Sequence, residues 1–261
     1  MKMAQFVKVE KEANLAIITI MNPPLNVINR QVFRDLKEVY TDIKHDHETV
    51  AVIITGSGYT AFAAGADIKE FPDMFGDENI RQQISECHEA LDLIATCPKP
   101  TIAVLNGITL GGGCELALAC DIRIAEEQIQ IGLPEVKLGL FPGGGGTQRL
   151  PRLIGTAKAK EMMLTGDPIS ALQAEKIGLV NRVVRRGHGL IEGKNLAAKI
   201  AKNSLQSLSR IKQAIDEGYE TSIDRGLQLE AELFVEVFRT EDSKEGVLAF
   251  IEKRKPMFQH K

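Results

Sequence analysis

Apolar and polar residues alternate through "FVKVEKEANLAIITI" on both sides of a turn-like "KEAN", which predicts a β-hairpin. "NPPLN" then interrupts regular structure. From Asn29 onward, Val32, Phe33, Leu36, Val39, Tyr40 and Ile43 recur at helical spacing. "TVAVIITG" is a continuous apolar run ending in glycine, the pattern of a strand covered on both faces. The segment "SGYTAFAAGADIKEF" reads as a loop. Helical spacing returns at Ile84, Cys87, Leu91 and Ile94, "CPKP" stops that helix, and "TIAVLNG" predicts another buried strand. The glycines of "LGGGCELALACD" open a short helix. "DIRIAEE" and "IQIGL" predict two more strands, "PEVKLGLFPGGGG" a long loop, and "TQRLPRLIG" renewed helix.

Strand–helix alternation of this kind predicts an α/β core over residues 1–189. From about Leu190 the strands stop. "LAAKIAKNSLQSLSRIKQAIDEGY" and "LQLEAELFVEVFRTEDSKEGVLAFIEKR" carry helical periodicity alone, so residues 190–261 read as a helical appendage. Its apolar faces need cover from the core or from a second subunit. No repeat appears at solenoid periods.

Composition narrows the function classes. The chain has 261 residues, 44% of them hydrophobic and 26% charged, as in ordinary globular proteins. A net charge of -3 argues against nucleic acid as a partner. No apolar run reaches the roughly 18 residues of a membrane span. "MKMAQFVKVEKEANL" shows neither a secretory nor a transit pattern. Cys87, Cys97, Cys114 and Cys120 form no CxxC pair, which fits reduced thiols in the cytoplasm. His45 and His47 are neighbours in "KHDHE", but they lack the further ligands of a zinc site.

The chemistry concentrates at two loop-to-helix junctions, "AFAAGAD" and "LGGGCEL". Glycine lets backbone approach a ligand closely, and a helix opening leaves free N–H groups at a positive dipole end. Two such N–H groups from separate loops suit a developing oxyanion; tight helix–strand packing explains the same glycines. Glu115 follows in the first helical turn among Leu116, Ala117, Leu118 and Ala119, where a carboxylate needs a partner. Glu135, in "GLPEVKLG", reads alone as a loop acid. Two carboxylates over one water would divide acid and base roles, because their repulsion separates their proton affinities. "FPGGGGTQR" lacks the GK[ST] ending of a phosphate loop and the Rossmann GxGxxG. Cys114, at a helix opening, is either an activated thiol or a buried inert one.

"AFAAGADIKEF", "NGITLGGGCELALACDIRIA", "GLPEVKLGLFPGGGGTQRLPRLIG" and "LTGDPISALQAEKIGLVNRVV" together resemble the enoyl-CoA hydratase (crotonase) family. The resemblance runs from about residue 4 to the C-terminus, with four motifs in order and the Glu115–Glu135 separation of a hydratase. It implies an α/β spiral of repeated ββα units and a C-terminal helical region that builds homotrimers, commonly stacked as hexamers. It also implies roles. Ala66 and Gly112 match the oxyanion-hole donors, and Glu115 and Glu135 the catalytic glutamates. Ala64 matches a position near the coenzyme A adenine, Gly143 a glycine beside the substrate water, and Lys69 a contact for a coenzyme A phosphate. Asp67 and Ile68, between Ala66 and Lys69, are grouped with the substrate-binding residues.

The implied reaction adds water to a trans-2-enoyl-CoA. It uses no metal or other cofactor, coenzyme A being part of the acyl-CoA substrate. The alternatives are an enoyl-CoA isomerase or another acyl-CoA-processing member, a non-catalytic acyl-CoA or RNA binder, and a structural assembly protein; the glutamate pair favours the hydratase. Two stretches depart from the family pattern. "RRGHGLIEGKNLAAKIA" is rich in glycine and basic residues, which blurs the start of its helix, and "PGGGG" predicts a loosened loop around Gly143. "EFPDMFGDENIRQQ", with little regularity, is the expected wall of the acyl pocket.

Overall fold

A computed structural model describes residues 5–261. The predicted hairpin forms from β1 (Val7–Glu12) and β2 (Leu15–Ile20). Helix α1 (Arg30–His45) starts at Asn29, whose side-chain oxygen accepts the Val32 N–H at 2.9 Å. That cap satisfies one of the donors the first turn leaves free. The apolar stripe read from the sequence is the stripe α1 buries, with Phe33 at its edge.

The chain then repeats one plan. β3 (Ala51–Gly56), β5 (Thr101–Leu105) and β7 (Ile122–Glu126) each enter a large sheet. The strand after each, β4 (Ala61–Ala63), β6 (Ile108–Leu110) or β8 (Gln130–Gly132), joins a smaller one. Helices α2 (Ile80–Ala95), α3 (Gly112–Leu118), and α4 (Gly146–Ile154) with α5 (Thr156–Thr165) complete the turns. The chain continues through β9 (Ile169–Ser170), α6 (Ala171–Lys176) and β10 (Arg182–Val184). The large sheet runs β1-β2-β3-β5-β7-β10 and the small one β4-β6-β8-β9. This is the expected spiral of ββα units. β4 and β6 lie in stretches read as loop or as glycine run, because three residues are too few to display a period of two.

The centre of the large sheet is covered on both faces, which is why β3 and β5 read as continuous apolar runs. Val52, Ile54, Ala103 and Leu105 point into the main core with α1, α2 and α3. Ala51, Ile53, Ile102 and Val104 point the other way, beneath α7 (Gly189–Ile200). Two of the three glycines of "RRGHGLIEG" serve that contact: a Cβ on Gly193 would stand 2.7 Å from Val104 Cγ2, and one on Gly189 2.9 Å from Val104 Cγ1. The helix start is defined by the core itself, since Gly189 donates its N–H to the buried Glu126 Oε1 at 3.1 Å. A boundary at residue 190 groups α7 with the C-terminal helices, yet α7 packs on the sheet. α8 (Leu205–Tyr219), α9 (Ile223–Phe238) and α10 (Glu241–Ile251) follow it. They leave Ile211, Ile215, Phe234, Phe238 and Phe250 exposed.

Candidate active site

The small sheet brings the two glycine junctions together. Ala64, Gly65, Ala66 and Asp67 run directly out of β4, and the segment Leu25–Ile28 pins them. Ala64 N–H donates to Leu25 O at 3.0 Å, Ile28 N–H to Gly65 O at 2.8 Å, and Asp67 N–H to Ile28 O at 3.3 Å. Ala66 N–H is left over, with no acceptor among the described residues. Gly112, the first residue of α3, is in the same state, as the opening of a helix requires. The two lie side by side: a Cβ on Gly112 would stand 3.5 Å from the Ala66 nitrogen. Gly111 turns the chain between β6 and α3 at φ +53, a conformation that favours glycine. Gly113 serves packing, because a side chain there would collide with the Ala63 carbonyl. The glycine run thus serves packing at Gly113 and leaves an N–H without an acceptor among the described residues at Gly112.

Glu115, one turn into α3, is only 5% exposed. Its Oε1 accepts the N–H groups of Gly144 at 2.7 Å and Gly146 at 2.8 Å. Its Oε2 faces the Gly144 Cα, where a Cβ would come within 2.6 Å. Glu135 arrives from the other side on a 3-10 turn, Glu135–Leu138, that follows β8. Gly111 is common to both acids. Its carbonyl accepts the Glu115 N–H at 3.0 Å, and a Cβ on it would stand 3.1 Å from Glu135 Oε1. Glu135 Oε2 is buried and has no hydrogen-bond partner among the described residues.

Burial pushes the Glu135 carboxyl up to about 7, its own N–H opposes that rise, and the negative charge of Glu115 adds to it. Burial also raises Glu115, but the Gly146 and Gly144 N–H groups and the positive charges of Arg149 and His88 hold it back. The two acids are thus pushed unequally, as acid and base roles require. The Cys114 thiol is fully buried, and burial together with the charges of Glu115 and Glu135 drives it far above the thiolate range. It is not an activated nucleophile.

The other predicted residues lie around this centre. Ala64 and Asp67 are half-buried, and Asp67 Oδ1 accepts the Lys69 N–H at 3.1 Å, capping a 3-10 turn over Ile68–Glu70. Ile68 and Lys69 are exposed. Gly143 has open space at its Cα, and its carbonyl accepts from His88 Nε2 at 2.6 Å. The predicted loosening of "PGGGG" is not what the structure shows: Gly144 and Gly146 are tied to Glu115, and at those two positions the carboxylate leaves no room for a Cβ. The same bonds commit those N–H groups to a protein acid and away from a phosphate. Sequence reasoning missed Gly144, Gly146, His88, Asp92 and Arg149. The available signal was the arginine of "TQRL", one turn past the glycines. Among the described residues no group of three or more His, Cys, Asp or Glu side chains could hold a metal ion.

A spiral of ββα turns that brings two free N–H groups together near the buried Glu115 and the half-buried Glu135 defines a crotonase-type α/β protein. The chain belongs to the enoyl-CoA hydratase/isomerase family, whose model matches residues 10–261. It is 44% identical to a short-chain-enoyl-CoA hydratase of Clostridium acetobutylicum, over 94% of each chain. It is 43% identical to a crotonyl-CoA hydratase of Syntrophomonas wolfei, over 95% of this chain and 96% of that one. The crystal structure of an enoyl-CoA hydratase from Bacillus anthracis matches with a TM-score of 0.95 at 39% identity, covering 98% of this chain and all of the other.

Proposed function

We propose that this chain is an enoyl-CoA hydratase, a hydro-lyase that adds water across the 2,3 double bond of a trans-2-enoyl-CoA. The observation that carries this reading is the Glu135 carboxyl lying against Gly111, at the opening of the helix that carries Glu115 and beside the unused N–H groups of Ala66 and Gly112. The thioester oxygen accepts both N–H groups. Charge gathers on that oxygen as the nucleophile reaches C3, so the donors bind the transition state more tightly than the ground state. Glu115 takes a proton from the water as its oxygen bonds to C3. Glu135, raised toward neutrality, delivers its proton to C2. A proton then returns from Glu115 to Glu135 by exchange with solvent. The N–H pair polarises the carbonyl and the glutamates move the protons, so the proposed reaction calls for no resident metal or redox group.

Ala64, Asp67, Ile68, Lys69 and Gly143 are proposed to contact the substrate, Lys69 through a coenzyme A phosphate. The segment after Lys69 exposes Phe75 and Ile80, which suits an apolar acyl chain. The exposed apolar residues of α8, α9 and α10 support a homotrimer or a dimer of trimers. Four free thiols, three of them buried, support a cytoplasmic setting. No described helix is long and apolar enough to cross a membrane. Product analysis tests the reaction: incubation with crotonyl-CoA yields 3-hydroxybutyryl-CoA with loss of the conjugated thioester absorbance. Release of free coenzyme A, or migration of a double bond in a 3-enoyl substrate without hydration of the 2-enoyl one, would assign a different activity.

A further inference from the structure

The glycine loop that grips Glu115 is itself held by three side chains to which the proposed chemistry assigns no part. Arg149, on α4, donates from Nη1 to Gly144 O at 3.2 Å and from Nη2 to Asp92 Oδ1 at 2.6 Å. Its guanidinium lies against Gly145, which sits at φ +99 and has no room for a Cβ. His88, one turn before Asp92 on α2, donates from Nε2 to Gly143 O. That assignment is forced, because a carbonyl only accepts. The carbonyls of Gly143 and Gly144 are therefore clamped from two helices while the N–H groups of Gly144 and Gly146 point at one oxygen of Glu115. The clamp also brings positive charge to a buried acid, in the sense that favours its ionised form.

We propose that Arg149 and His88, with Asp92 behind Arg149, are positioning residues: they fix the Gly143–Gly146 backbone so that Glu115 Oε1 stays bound and Oε2 is presented to the reacting water. This rests on the reading of Glu115 as the hydratase base. The Gly143 carbonyl held by His88 shares its peptide with the Gly144 N–H, and the Gly144 carbonyl held by Arg149 belongs to the next peptide, between the two donors to Glu115, so without either bond the backbone carrying those donors is free to turn. Glu115 then loses a donor, and its carboxyl gains affinity for a proton. The charged and titratable groups facing Glu115 are His88, Cys87 and Asp92 from α2, Cys114 beside it on α3, Glu135 from the 3-10 turn, and Arg149 from α4. Cys87, pushed up to about 12 chiefly by burial, stays a neutral thiol over the working range.

The test combines crotonyl-CoA kinetics across pH with a 13C-NMR titration of the Glu115 carboxyl, assigned by difference from Glu115→Gln. Arg149→Gln is expected to lower kcat about tenfold to a hundredfold with KM within about threefold, and to raise both the Glu115 midpoint and the acid limb of the kcat profile. His88→Gln is expected to move them the same way by less. Arg149→Lys keeps the charge without the fork, so it should restore the midpoint better than kcat. If Arg149→Gln does not fold, the lysine and His88 variants carry the test. An unmoved Glu115 midpoint in folded Arg149 and His88 variants overturns the proposal. If the parent fails to hydrate crotonyl-CoA, the hydratase reading fails instead, and the NMR midpoint still reports whether the clamp tunes Glu115.

Discussion

Glu115 divides its two oxygens. Oε1 is committed to the N–H groups of Gly144 and Gly146, and Oε2 is turned along the Gly144 Cα. Glu135 is less restrained: one oxygen is buried without a partner, and the carboxyl is pushed up to about 7. That rise has a consequence for stability. Between pH 4.5 and 7 the folded chain holds a proton that the unfolded chain has released, so stability falls as pH rises through this window and the loss is complete above it. Glu135→Gln removes the titration. The variant should melt a few degrees above the parent at pH 8 and level with it near pH 4, as differential scanning fluorimetry across pH would record. A constant offset at every pH would mean that the carboxyl is not perturbed by the fold.

At the scale of elements, the central feature is the approach of α3 to β4. Gly113 permits it, Gly111 turns into it, and the Leu25–Ile28 segment fixes the opposite loop so that Ala66 N–H lies beside Gly112. Gly113→Ala pushes a carbon into the Ala63 carbonyl. It should cost about 1–3 kcal/mol in chemical denaturation and lower kcat as the two donors separate. Parent-like stability and rate in this variant would show that α3 has slack at its first turn. Much of this level was legible in the sequence. The hairpin, α1, the buried strands and the odd placement of Glu115 follow from periodicity and from the cost of burying an acid. The contacts that complete the site were not legible, because they join residues far apart in the chain: Asn22–Ile28 with Ala64–Asp67, Glu115 with Gly144 and Gly146, and His88 with Gly143. Glycine-rich stretches are ambiguous for a related reason. "PGGGG" and "RRGHG" look loose in sequence, yet several of their glycines mark places where another group leaves no room for a side chain.

At the scale of the molecule, the centre of the large sheet is covered on both faces while the C-terminal helices keep large apolar residues in solvent. Phe234 and Phe238 stack on each other at 6.0 Å and are each 66% exposed, and Phe250 is 85% exposed. Light scattering is expected to give a mass three or six times that of the chain. Phe234→Asp combined with Phe250→Asp should shift it toward the single chain. A monomeric parent would remove the proposed role of these helices. The central claim is that two glutamates and two backbone N–H groups form one hydration site, and amide substitution of the acids tests it most directly. Glu115→Gln and Glu135→Gln should each lower kcat for crotonyl-CoA hydration by about 10²–10⁴-fold. Both should keep acyl-CoA affinity, measured by calorimetry, within about threefold of the parent, since neither amide disturbs the Ala66 and Gly112 donors. Hydration at the parent rate by both variants would contradict the account.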